Sequence, residues 1–285
     1  MKRYLSCLRP QEIAVLQGPP LLGAMLALHA ATPDRLRAVA LLTAGNVCLM
    51  AHVFLVNDWS NLHTDLNDAN KARDVFTAKG VSRRGLAGLA LALLAAGLLL
   101  LVPLGADTIG LAALVALLST LYSVPPFNWK GRPLLNSVAH LSGGVVHFLM
   151  GYSLGPRLDL RGALVAGFVA LTFAAGHLTQ EVRDYDGDAR NGIRTNAVVL
   201  GKHRAFTASI ALFFGSYGLL FLMATLHVLP RGCGWLAGFV AVQTWWSVQA
   251  AREGLTFSAV SRLQTRYRLV YAAIGLVVSV AAWAP

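Results

Sequence analysis

The chain turns on two polar stretches that interrupt apolar runs: Asn57-Asp58-Trp59-Ser60-Asn61-Leu62-His63-Thr64-Asp65 and Glu181-Val182-Arg183-Asp184-Tyr185-Asp186-Gly187-Asp188. Asp58, Asn61 and Asp65 stand at i, i+3 and i+7, and Glu181, Asp184 and Asp188 repeat that spacing. On a helix rising roughly 1.5 Å per residue, these offsets stack three oxygen-bearing side chains on one face over about 10 Å. Eight of the 13 acidic residues lie in or just after these stretches: Asp58, Asp65, Asp68, Asp74, Glu181, Asp184, Asp186 and Asp188. In a protein with a net charge of +11, that concentration marks a site.

Each stretch begins where an apolar run ends, and such runs recur along the whole chain. Of 285 residues 56% are hydrophobic and only 13% charged, and the mean hydropathy is +0.58. A soluble domain carries about 25% charged residues. Runs long enough to cross a hydrocarbon core fall at about 13–31, 37–57, 85–104, 108–124, 134–154, 162–181, 206–228, 233–250 and 268–284. The expected fold class is therefore all-α: a polytopic membrane protein of about nine transmembrane helices in one bundle, a single domain over residues 1–285. The first run reads as a span rather than a removable leader, because so many similar spans follow. Gly18-Pro19-Pro20 is expected to kink it. The mixed segment from Phe257 to Leu269, with Arg262 and Arg266 about one turn apart, is expected to lie along the membrane interface before the last span.

Nine spans place the connections alternately on two sides. Lys and Arg number 19 on the side that receives the N-terminus and the loops at 58–84 and 182–204, against 5 on the other. The positive-inside rule makes the first side cytoplasmic. Both acidic motifs then open on the cytoplasm, in the inner membrane if the source is bacterial. The distribution assigns the excess positive charge to topology and anionic lipid rather than to nucleic acid. Cys7, Cys48 and Cys233 are scattered and odd in number, with no metal-binding spacing.

Several carboxylates facing one cavity repel one another and resist ionising unless cations relieve them. Carboxylate and amide oxygens suit hard ions such as Mg²⁺, which usually shares its shell with water and substrate phosphates. Two facing oxygen clusters with nearby Lys and Arg therefore read as a diphosphate site bridged by Mg²⁺. The expected metal ligands are Asp58, Asn61, Asp65, Glu181, Asp184 and Asp188.

These residues also carry a resemblance. Asn57-Asp58-x-x-Asn61-x-x-x-Asp65 resembles the NDxxDxxxD motif of the UbiA superfamily of intramembrane prenyltransferases, and Glu181-x-x-Asp184-x-x-x-Asp188 resembles its DxxDxxxD motif. Gly192 and Thr195 follow where the family has GxxT. Tyr122-Ser123-x-Pro125-Pro126 with Lys130 is similar to its YSxPP segment and downstream lysine, and Arg9-Pro10 to the opening of its first helix. Three departures stand out: Asn61 and Glu181 replace the usual Asp, and Val75-Phe76-Thr77-Ala78-Lys79-Gly80 replaces RPLxxG, leaving Arg73 and Lys79 as candidates for the missing arginine. Asp186-Gly187-Asp188-Ala189-Arg190 is one residue short of the DGxxAR of CDP-alcohol phosphotransferases, which sets that alternative aside.

The resemblance implies an enzyme using Mg²⁺, an isoprenyl diphosphate and a small aromatic acceptor within the lipid bilayer. Diphosphate leaves, and the allylic cation alkylates the acceptor. Asp58, Asp65, Asp184, Asp188 and Lys130 are the expected catalytic residues. Asn57, Arg73, Lys79, Tyr122, Ser123, Arg183, Asn136 and His147 are the expected substrate-binding ones. Tyr122, Phe148, Tyr152 and Phe173 are candidates to steady the cation. Asn46, His52, His140 and His177 are further polar groups within or at the ends of spans. No Lys or Arg falls in the middle of an expected span, so a charged acceptor is expected only near the mouth, beside Lys130, Arg132 or Arg183. A terpene cyclase of the same superfamily and an ion-coupled transporter are the competing functions.

Overall fold

The computed structural model describes residues 3–283 in full apart from His29 and Pro156, and residue 2 in its backbone. The Lys2 charge, His29 in the first expected span and Ala284 at the end of the last lie outside the described residues. The described residues are helical, with no strand. The elements run α1 (Lys2–Leu5), α2 (Pro10–Val15), α3 (Gly18–Ala27), α4 (Pro33–Ser60), α5 (Leu62–Leu66), α6 (Arg83–Leu101) and α7 (Ala106–Ser123). Then come α8 (Leu135–Tyr152), α9 (Leu160–Arg190), α10 (Asn196–Leu200), α11 (Lys202–Thr225), α12 (Phe239–Arg252) and α13 (Phe257–Ala281).

Five segments are long and apolar enough to cross a membrane: Pro33–Ser60, Arg83–Leu104, Ala106–Ser123, Leu160–Arg190 and Lys202–Thr225. The other four expected spans are helical too, yet each is interrupted or polar. The first is broken at Leu16 and Gln17 into α2 and α3. Its proline pair does not kink a continuous helix: Pro19 and Pro20 open α3, where a missing N–H costs no hydrogen bond. α8 carries Asn136, His140 and His147, and the eighth segment begins as a 3₁₀ turn over Arg231–Gly238 before α12. The interfacial segment expected at 257–269 is instead the first half of the unbroken α13, whose Thr256 side chain caps it.

Small residues let these helices close up. At the α3–α8 crossing a Cβ on Gly23 would lie 2.7 Å from the Tyr152 amide nitrogen, and one on Gly151 would run into the Pro20 backbone. This is the close approach that membrane bundles build from glycine. α8 also packs against α7 and α9, α9 against α11 and α13, and α4 against α6 and α7. His52 braces the α4–α6 contact through Nδ1–H donated to the Ala90 carbonyl at 2.9 Å. α13 closes the ring against α3 and α9.

Candidate active site

Inside the ring lies a cavity of about 1170 Å³, above the roughly 300–1000 Å³ usual for small-molecule sites. Asp58, Asn61, Asp65, Glu181, Asp184 and Asp188 all line it. The two motifs reach it differently. Glu181, Asp184 and Asp188 lie on one buried face of the continuous α9, as their spacing predicts. The first motif is not one helix: α4 stops at Ser60, Asn61 is the hinge, and Asp65 sits on α5. The Asp65 amide still donates to the Asn61 carbonyl at 2.8 Å, so the bend keeps all three residues on the cavity.

Five cations thread between the acids. Arg9 pairs with Asp58. Lys71 Nζ stands 2.9 Å from Asp184 Oδ2, and Lys130 Nζ 3.6 Å from Asp188 Oδ1. Arg183 grips Asp184 through Nε at 2.7 Å and a second nitrogen at 3.1 Å, and donates to Gln264 Oε1 at 2.9 Å. Lys79 lines the cavity and donates to the Ser6 carbonyl at 2.8 Å. Burial works against the charge on Lys71, but Asp184, Asp65 and Asp188 outweigh it and hold its ammonium above the ordinary lysine value. Asp65 has no ion-pair partner among the described residues. Burial pushes its carboxyl up, against the pull of Lys71, Lys130 and Arg9.

The structure reassigns several expected residues. Glu181 has both oxygens engaged: Oε1 accepts from Asn136 at 2.5 Å and Asn196 at 3.3 Å, and Oε2 from the Ala197 amide at 3.2 Å. It is a buried brace more than an open ligand. Asn136 is fully buried, outside the cavity lining, and holds Glu181. Arg73, a candidate for the missing arginine, and Arg132, expected beside a charged acceptor, are exposed and outside the lining, whereas Lys79 lines it. Lys71, which the sequence reading passed over, lines the cavity beside Asp184; its signal is a lysine six residues after the motif's last Asp. Phe148 and Tyr152 belong to the apolar core, whereas Tyr122 and Phe173 face the cavity. Asn57 and Ser123 line it and bond to each other at 3.2 Å. His147 lines it while its Nε2–H donates to Asn46 Oδ1 at 2.8 Å, and Asn46 in turn bonds Leu16 and Gln17 at the α2–α3 break.

Gly192 and Thr195 earn their place through this network. Gly192 takes a left-handed φ of 67° after α9, and the Thr195 hydroxyl caps α10, which returns Asn196 to Glu181. The loop after α5 is clasped to α9 as well: Asn191 donates to the Thr64 carbonyl at 3.0 Å, and Asp68 lies against Gly187.

The cavity's other end is apolar. Met50 lines it on α4, and Phe168, Val169 and Phe173 on α9; Phe54 sits nearer the mouth, with the Arg9 guanidinium 5.6 Å over its ring. Phe168 lies sixteen residues before Asp184, which is about 24 Å along the helix. The donor set fits Mg²⁺: Asp58, Asn61, Asp65, Asp184 and Asp188 offer only hard oxygens. Among the described residues no three His, Cys, Asp or Glu side chains are close enough together to hold an ion by themselves. An ion there would complete its shell from a phosphorylated ligand and water, as Mg²⁺ commonly does.

A helical bundle whose cavity has an acid-and-cation mouth and a long apolar arm suits an amphiphile with a phosphorylated head. The comparisons give that class a family. The family model described as the UbiA prenyltransferase family matches residues 18–283. The chain belongs to that family and is an enzyme of the prenyltransferase class. It is 32% identical over 217 residues to a lycopene elongase/hydratase of Haloferax volcanii, covering 71% of this chain and 67% of that one. It is 25% identical over 218 residues to a digeranylgeranylglyceryl phosphate synthase of Thermococcus gammatolerans, covering 75% and 74%. Its fold matches a UbiA homolog from Archaeoglobus fulgidus bound to GPP and Mg²⁺, with a TM-score of 0.73 at 18% identity over 98% of this chain and 99% of that one. An apo UbiA homolog from Aeropyrum pernix aligns as well, with a TM-score of 0.73 at 19% identity over 96% and 99%.

Proposed function

We propose that the protein transfers a prenyl group from an isoprenyl diphosphate to an acceptor held in the membrane, with Mg²⁺ as cofactor. One observation carries this: oxygen ligands from two helix ends and five cations share one end of a cavity whose other end is hydrocarbon-lined. Asp58, Asn61, Asp65, Asp184 and Asp188 are the residues that would hold the metal. Bound there, Mg²⁺ would neutralise the diphosphate and ease its departure.

The chain's own residues account for the rest. Lys71, Lys130, Arg183 and Arg9, now paired with acids, turn to the diphosphate oxygens and stabilise the charge of the leaving group. Tyr122 and Phe173 face the carbon from which it departs. The prenyl tail lies along Met50, Phe54, Val169 and Phe168. Nine crossings with the mouth on the cytoplasmic side fit the 19-to-5 charge asymmetry.

Contrary to the expectation of cation-free spans, Arg268 stands midway along α13 and lines the cavity, but it is held by Glu12 Oε1 at 3.0 Å. The lining about Phe168, Val169 and Phe173 carries no Lys or Arg, so the acceptor is uncharged where it reacts. An aromatic ring meets that condition. A lipid or polyene meets it too, and this second reading draws on the relatives named for glyceryl phosphate lipid and lycopene. The test incubates membranes with labelled geranyl and geranylgeranyl diphosphates and Mg²⁺. The acceptor panel contains a phenol, a quinolone, a glyceryl phosphate lipid and a polyene. A prenylated phenol or quinolone supports the aromatic reading and a prenylated lipid or polyene the second. Diphosphate release with cyclic product and no acceptor consumption refutes both.

A further inference from the structure

Deeper than the acids, the cavity wall carries a cluster that diphosphate binding does not use. His140 of α8 and His177 of α9 stack with ring centroids 3.7 Å apart and planes 10° apart. The Tyr122 ring of α7 meets His140 edge-on at 4.8 Å. All three line the cavity. His177 lies seven residues before Asp184 on α9, so the stack sits about 10 Å along the helix toward the apolar arm. Phe173, about one turn further, begins that arm. The pair thus stands where a reacting carbon would pass between diphosphate and hydrocarbon.

The backbone decides what His140 can do. Its Nδ1 lies 3.0 Å from the Asn136 carbonyl. A carbonyl only accepts, so Nδ1 carries the proton and Nε2 keeps a lone pair. Among the described residues that Nε2 has no hydrogen-bond partner, and His140 is only partly buried on the cavity wall. Behind it, His177 Nε2 stands 3.0 Å from Glu181 Oε1. Glu181 is immobilised by Asn136, Asn196 and the Ala197 amide. The Asn136 bridge links the two: its side chain holds Glu181 while its carbonyl sets the His140 tautomer.

We propose that His140 is the base that takes the proton the acceptor loses on prenylation. The inference rests on the transferase function above and deepens it. The prenyl C1–O bond breaks and its electron pair leaves with diphosphate. A bond forms between C1 and the acceptor atom, and the proton on that atom passes to His140 Nε2, giving an imidazolium. The acceptor class this serves is one that must shed a proton: a phenol or alcohol O–H, or an arene C–H. The titratable and charged groups around the base are Tyr122 and Lys130 from α7 and the turn after it, and His177, Glu181, Asp184 and Asp188 from α9; α3 carries none.

The experiment uses the purified full-length protein with Mg²⁺, labelled geranylgeranyl diphosphate and the panel acceptor that the wild type prenylates fastest. His140→Phe keeps a stacked ring and removes the lone pair. Diphosphate should still be released with its KM within about threefold of wild type, while prenylated acceptor falls by about 10²–10⁴-fold. A base that accepts the proton directly can be replaced by a free one, so imidazole should restore turnover to His140→Ala. His140→Gln, offered in case the phenylalanine disturbs folding, should also lose transfer. Prenylation by either variant within about threefold of wild type overturns the assignment. Equal loss of diphosphate release and prenylation in a folded variant also overturns it. A wild-type protein that releases no diphosphate with any panel acceptor refutes the transferase function itself.

Discussion

Asn136 was expected from sequence to bind substrate, with the acceptor as the partner in reach of its neutral amide; in the structure it is bonded to Glu181 and Asn196. Replacing it with alanine removes three hydrogen bonds: to Glu181 Oε1 at 2.5 Å, to the Lys130 carbonyl at 3.2 Å, and from Asn196 to its Oδ1 at 2.7 Å. Hydrogen bonds inside membrane bundles are worth about 0.6–1.7 kcal/mol each, so the loss amounts to roughly 2–5 kcal/mol. At about 2–4 °C per kcal/mol for a larger domain, the melting temperature should fall by roughly 4–20 °C. Thermal unfolding of the detergent-purified variant, followed by tryptophan fluorescence, measures this. Lys130 and Glu181 loosen together, so activity at a temperature where the variant is folded should fall through kcat, with both KM values moving alike. An unchanged melting temperature with a selective rise in acceptor KM would refute the bracing role and restore the contact role.

Asp65→Ala and Asp184→Ala should each abolish turnover in protein that still folds; chelation should remove wild-type activity and added Mg²⁺ restore it, and full turnover in EDTA sinks the metal assignment. Lys71→Ala should raise the KM for prenyl diphosphate by about tenfold or more, as losing a charge-assisted bond implies, while exposed Arg73→Ala should change it little; the reverse order would return the missing arginine's role to Arg73. Gly187→Ala would drive a Cβ into the Asp68 carboxylate and should destabilise by about 1–3 kcal/mol, read as a lower melting temperature. For topology, single cysteines at the exposed positions Thr77 and Arg190, in a background lacking Cys7, Cys48 and Cys233, should resist an impermeant thiol reagent until cells are opened. Labelling of both in intact cells would invert the orientation.

The membrane class, the helical fold and the two motifs are legible in the chain because they rest on composition and short-range spacing. Apolar runs report membrane crossings, and offsets of three and seven residues report one helix face; α9 carries Glu181, Asp184 and Asp188 as that spacing requires. The bend at Asn61 was hidden, since nothing in the sequence distinguishes a hinge from a continuing helix there. The partners of the site were hidden for a different reason. Lys71 meets Asp184 across 113 residues, Asn196 reaches Asn136 across 60, and His140 stacks on His177 from another helix. Whether a polar side chain within a span faces the cavity or braces a neighbouring helix depends on the helix's rotation in the bundle. That rotation is set by packing, such as the glycine contact between α3 and α8. The kinds of groups the site uses could thus be read from the chain, but only the tertiary structure decided which carboxylate is left open and which is already spoken for.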